Sequence, residues 1–236
     1  MNTAFRKACL DFDEITQVTL INCIIRYYLL NNDYEHARNF LSKTKYTENI
    51  STNEDARHLY YVGRINCIQM NYSEAFIHLT NSLRKAPEKV GGFKSYVQKL
   101  LIIVELLMGD VPDIKNYITV DTCHKLKPYL SLLKSVKQGN LHEFNNSLLQ
   151  NEKVFISDNN YNLIQRLRLI VIKIGLRKIN LSYSRISIKD IAEKLNLENE
   201  KEAEYIISKA IRDGVFLAKI NHDEGYVQSM VILHLT

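Results

Sequence analysis

The sequence predicts a mainly α protein, a solenoid of antiparallel helix pairs that runs into a C-terminal winged-helix module. Three observations carry this expectation. Only 8 Gly and 3 Pro occur in 236 residues, too few turn formers for the many tight reversals of a sandwich or barrel. A helix-turn-helix pattern of apolar residues returns after 38 residues. From residue 184 onward the pattern changes to helix, turn, helix and β-hairpin, the order of a winged helix.

The elements follow in chain order. Val18, Ile21, Ile25, Tyr28 and Leu29 recur at helical spacing over residues 15–30. Asn31-Asn32-Asp33 stops that helix and caps the next, which carries Tyr34, Ala37 and Leu41. The repeat is read from Arg26 with Arg64, Tyr34 with Tyr72, Ala37 with Ala75 and Leu41 with Leu79. It places helices over 55–70 and 73–85, the second stopped by Pro87. Two antiparallel helices per repeat of this length is close to the tetratricopeptide (TPR) period, and the alanines let paired helices approach closely. A helix over 93–108 ends on Gly109 with Pro112 beyond it. Pro128 opens another, which ends at Gly139-Asn140 and is followed by a partner over 141–150. The helix over 161–180 is apolar on most of its circumference (Leu163, Leu167, Ile170, Val171, Ile174, Ile179) and is expected to be internal. Residues 184–187 lean to β structure, followed by helices over 188–195 and 200–213. Strands over 215–221 and 226–231 flank the turn His222-Asp223-Glu224-Gly225.

Composition bounds the function. At 46% hydrophobic and 24% charged the chain is globular rather than disordered. A net charge of +5 is too weak to imply nucleic acid by itself. Cys9, Cys23, Cys67 and Cys123 show neither CxxC nor ligand spacing, so free thiols are expected in a reducing compartment. Apolar runs such as 100–104 are broken by charge well short of a membrane span, and no signal-peptide pattern is seen. The expected location is cytoplasm and nucleus, with no membrane partner.

Charge distribution then decides how the winged helix is used. A DNA reader needs cations at the start of its second helix. Here residues 198–213 carry Lys201, Lys209 and Arg212 against Glu198, Glu200, Glu202, Glu204 and Asp213, and the wing turn adds Asp223 and Glu224. Nucleic acid is therefore disfavoured. Seven basic residues and no acid lie between Gln165 and Lys189. Arg166, Lys173 and Arg177 make this stretch a candidate docking surface for an acidic partner or RNA, against the plainer reading of a solvated stripe with local ion pairs. The wing itself offers an open strand edge to which a second wing can add. Lys219, Ile220, Tyr226, Val227 and Gln228 are the candidate interface residues, although Val227 also fits a hairpin packed on its own helices. No catalytic, cofactor or metal residue is assigned. Gly91-Gly92-Phe93-Lys94 lacks the spacing of a phosphate loop, and His142-Glu143 has Asn146 where a zinc protease needs histidine.

Several stretches carry a family resemblance. Tyr60-Tyr61-Val62-Gly63-Arg64-Ile65, Tyr72-Ser73-Glu74-Ala75, Leu83-Arg84-Lys85-Ala86-Pro87, Ala210-Ile211-Arg212-Asp213-Gly214-Val215 and Gly225-Tyr226-Val227-Gln228-Ser229 keep their order from one end of the chain to the other. So do residues 99–107 and 181–187. They resemble the family of non-ATPase regulatory subunit 3 of the proteasome lid, whose solenoid and winged helix form a PCI module. On that resemblance residues 1–50 are an N-terminal TPR-like hairpin and 51–232 the PCI domain, with solenoid over 51–180 and winged helix over 181–232. It implies a non-catalytic scaffold in ubiquitin-dependent degradation, lined up with other PCI subunits through winged helices in an arc. That arc helps hold the deubiquitinating subunit and ATPase ring in place. Members of the family carry further helices before the region matching Ala4 and a tail after the wing, so this chain is expected to be a fragment, or a reduced or divergent member. The same architecture in the COP9 signalosome or translation initiation factor three is the alternative, as is a nucleic-acid-binding winged helix.

Overall fold

The computed structural model of the chain describes residues 2–87, 89–113, 117, 123–197 and 199–230. Glu198 and Val231, expected at the start of the last helix and the end of the last strand, lie outside them. The chain forms two compact units, Met1–Leu126 and Lys127–Thr236.

The first unit holds α1 (Asn2–Leu10), α2 (Glu14–Leu30), α3 (Tyr34–Lys43), α4 (Thr52–Ile68), α5 (Tyr72–Lys85) and α6 (Gly91–Met108). Short polar side chains start the early helices. Asp13 accepts from the Thr16 N–H at 3.2 Å and Asp33 from the His36 N–H at 3.3 Å, satisfying donors that have no partner inside the helix. At the other end of the unit, Gly109 takes φ 93° and ends α6, with its N–H donating to the Leu106 carbonyl at 3.1 Å.

The 38-residue repeat is a packing repeat. Ile21, Ile25 and Leu29 of α2 and Ala37 of α3 form one buried cluster with Ile65 of α4, with Tyr34, Leu41 and Tyr61 against it. Each isoleucine buried there contributes about 2 kcal/mol. The second copy closes even more tightly. Ala75 and Leu79 are fully buried, and a Cβ on Gly63 would stand 2.9 Å from Leu79 Cγ. The small residues at the repeat positions therefore set how near the paired helices come. Beneath them lies a polar layer. Asp55 accepts from Tyr46 Oη at 2.9 Å, Lys85 Nζ at 3.0 Å and the Asn49 N–H at 3.1 Å. Tyr46 stacks on His58 with centroids 3.7 Å apart, and His58 Nδ1 meets Asn22 Oδ1 at 3.1 Å.

α7 (Cys123–Gln138) crosses from the first unit to the second. It starts five residues before Pro128, which sits inside the helix rather than opening it. The carbonyl that Pro128 leaves without an N–H belongs to His124, an exposed residue where solvent can satisfy it. The second unit continues with α8 (Leu141–Gln150), α9 (Glu152–Ser157) and α10 (Tyr161–Ser182). α10 is not internal as its composition suggested. Leu163, Ile164, Leu167, Val171, Ile172, Gly175 and Leu176 form a buried stripe, while Leu169 is 58% exposed and Leu181 75%. The helical period separates the two sides, and the stripe is the fully buried one.

The winged helix follows as β1 (Arg185–Ser187), α11 (Ile188–Leu195), α12 (Glu200–Arg212), β2 (Ala218–Asn221) and β3 (Tyr226–Ser229). Ser187 ends β1 and caps α11, its Oγ accepting from the Asp190 N–H at 3.0 Å. Asn196 closes α11 in the left-handed region. Ala203, Ile207 and Ala210 are the buried face of α12. The sheet order is β1-β3-β2, antiparallel throughout.

Candidate protein-interaction surface

Register decides which backbone groups are open. Ile186 stands opposite Val227, and the flanking bonds run from Ser229 N–H to the Ser184 carbonyl and from Ile188 N–H to the Gly225 carbonyl, both 2.9 Å. Antiparallel pairs alternate, so Arg185 turns its N–H and C=O away from β3, and Ser187 its N–H. On the far side of the sheet Met230 N–H donates to the Leu217 carbonyl at 3.0 Å. The same alternation leaves the backbone groups of Ala218 and Ile220 facing outward from β2.

β3 lies between the other two strands. This corrects the expectation that both strands of the hairpin offer an edge. Lys219 and Ile220 are on an edge strand, whereas Tyr226, Val227 and Gln228 are paired on both sides. Val227 is 4% exposed and packs inward with Ile186, so its side chain belongs to the core. Tyr226 and Gln228 contribute side chains to the outer face of the sheet, beside Arg185, Lys219 and Asn221. The edge groups of Arg185, Ser187 and Ala218 were not singled out from the sequence. Arg185 and Ser187 were marked only by the β-leaning 184–187 stretch and Ala218 only by its place in the strand over 215–221, neither of which names a partner strand.

The outer face carries its own ties. The Arg185 guanidinium lies 3.5 Å from the centre of the Tyr226 ring and 2.8 Å from the Glu224 carboxylate, fastening β1 to the hairpin. His222 at the wing tip meets Glu204 of α12. The three basic candidates share one face of α10 at i, i+7 and i+11, but two are turned onto neighbouring elements. Lys173 Nζ lies 3.6 Å from Asp213, the residue that ends α12, and Arg177 Nε donates to the Val215 carbonyl at 3.1 Å. Arg166 is half-buried farther up the helix. At the start of α12, Glu200, Glu202 and Glu204 occupy the positions where a DNA reader needs cations.

The family described as PSMD3-like, N-terminal TPR repeats, matches residues 1–133, and the PCI domain family matches residues 145–229. The chain belongs to the PSMD3-like family. Its relatives include the 26S proteasome non-ATPase regulatory subunit 3 of Dictyostelium discoideum, 44% identical over 229 residues, which are 96% of this chain and 45% of that one. The 26S proteasome regulatory subunit RPN3 of Saccharomyces cerevisiae is 39% identical over 231 residues, 97% of this chain and 44% of that one. The chain thus spans a little under half the length of these relatives. Within the PSMD3-like family, the TPR match covers α1 to α6 and the PCI match takes in α9, α10 and the whole described winged helix. The solenoid-plus-winged-helix architecture and the family resemblance both stand.

Proposed function

We propose that this chain is a non-catalytic scaffold subunit of the regulatory-particle lid of the 26S proteasome, acting in ubiquitin-dependent protein degradation through protein–protein contacts. The observation that carries the reading is the match to regulatory subunit 3 relatives along nearly the whole chain. The sheet geometry suits it: among the described residues the two outer strands of the sheet carry backbone groups that pair with no further strand and can hydrogen-bond to neighbours. Lys219 and Ile220 on β2 are the contact residues we assign to one neighbour, another PCI subunit of the lid. Lys173 and Arg177 are read as ties between α10 and the end of α12, which leaves the basic stretch a minor part in docking. The cytoplasm and nucleus are the expected locations.

The test is native purification of the tagged chain from its own cells. The scaffold reading expects co-migration with other PCI subunits of the lid. Recovery with a signalosome or an initiation factor instead, or as a monomer that ignores all of them, overturns it.

A further inference from the structure

In the first unit α2, α4 and α6 run in the same direction, each separated from the next by one reversed helix, so their C-terminal ends fall on one edge. Each end shows a large apolar side chain to solvent. Leu30 and Met70 are each 65% exposed, and Met108 is exposed as well. Met70 also holds a backbone conformation that its residue type resists, with φ 68° in the left-handed region. The left-handed residue after α2 is Asn32, at φ 56°, and after α6 it is Gly109, at φ 93°. Asparagine and glycine tolerate that region best. A methionine there is strained, and its exposure means that burial within this unit does not offset the strain. The charge written into the three ends has one sign. Residues 30–36, 68–74 and 106–113 include Asp33, Glu35, Glu74, Asp110 and Asp113 and no lysine or arginine. Their one histidine, His36, lies 2.7 Å from Asp33. The carbonyls that end each helix add partial negative charge.

We propose that this edge binds a basic amphipathic helix of a partner protein. Packed helices lie roughly 8–10 Å apart, the rise of about six or seven residues of α-helix. Apolar side chains two turns apart on the partner therefore meet Leu30, Met70 and Met108 in succession. Lysine or arginine beside them reaches the acids and the carbonyls at the helix ends. The two methionines adapt to the partner through their flexible thioether chains. An acidic segment or a nucleic acid is repelled by the same charges. The edge belongs to the first unit alone, and its preference for cations does not rest on the lid assignment.

The test uses the full chain with isotope-labelled methionine methyl groups, followed by NMR, and synthetic capped helical peptides. The first peptide has leucines two turns apart flanked by lysines. One twin replaces the lysines with glutamates and another replaces the leucines with serines. The first peptide is expected to shift the Met70 and Met108 methyl signals and to leave Met230 of the second unit unchanged. Glu74→Lys, an exposed change whose folding is checked by its melting curve, should weaken that peptide about five-fold. Met70→Asn, which supplies the residue type found after α2, should weaken it by a similar factor with the melting temperature unchanged or raised, because the left-handed strain is relieved. Equal affinity for all three peptides, shifts confined to Met230, no shift at all, or full affinity in Met70→Asn overturns the proposal.

Discussion

Gly139 and Gly175 meet backbone to backbone. A Cβ placed on Gly175 would stand 2.7 Å from the Gly139 carbonyl oxygen and 2.7 Å from Leu195 Cδ2. The turn after α7, the middle of α10 and the end of α11 thus converge on a point with room for hydrogen alone. Gly139 itself has φ 67°, where other residues are strained. Gly175→Ala is expected to destabilise the second unit by about 2 kcal/mol through overpacking. Urea denaturation of the variant against the parent chain measures it, and an unchanged midpoint would refute the contact.

The buried polar layer of the first unit makes stability depend on pH. Burial holds His58 down to about 4 from its ordinary 6.5, against a smaller upward pull from Asp55 and a downward push from His78. Because the folded-state value is depressed, the unfolded chain takes up the proton first as pH falls. Stability therefore declines from about pH 6.5 to about pH 4 and flattens below, a loss of about 3 kcal/mol from this group. Asp55, pushed up by burial but held below the usual carboxylate range by its donors Lys85, Tyr46 and Asn49, adds a loss at lower pH. Melting temperature against pH should show the first decline, and His58→Gln should remove it.

Lys219 lies on the edge strand β2 with its exposed side chain on the outer face of the sheet. If that edge meets a lid neighbour, Lys219→Glu should reduce co-purification with other PCI subunits several-fold while leaving the melting curve unchanged. Surface charges change encounter more than fold. Undiminished recovery of the partners would remove Lys219 from the interface.

Lys173 and Asp213 are each partly exposed, at 40% and 33%. A pair so open contributes under ~1 kcal/mol. Lys173→Ala should accordingly cost a few tenths of a kcal/mol in urea unfolding and leave partner binding intact. A large loss of binding with unchanged stability would restore the basic docking surface.

Much of this architecture was legible because it is written locally. Asp33, Gly109 and Asn140 mark helix ends through groups a few residues away. The repeat of Ala37 at Ala75 and of Leu41 at Leu79 reports the packing of adjacent helices. The boundaries of α8 and α11 follow from caps and apolar spacing alone. What misled was composition read without partners. α10 is rich in apolar residues, but Leu169 and Leu181 stay exposed.

The interaction surface divides along the same line. By itself the sequence determined that a helix pair and a hairpin end the chain, and that α12 begins with acids unsuited to DNA. These are properties of neighbouring residues and their charges. Only the tertiary structure decided which strand is central. β1 pairs with β3 across about forty intervening residues, and that long-range pairing occupies the second side of Tyr226, Val227 and Gln228. It leaves the open groups to Arg185 and Ser187 on one flank and to Ala218 and Ile220 on the other. An edge is defined by the absence of a neighbour, and neighbours that are distant in the chain are set by packing rather than by local pattern.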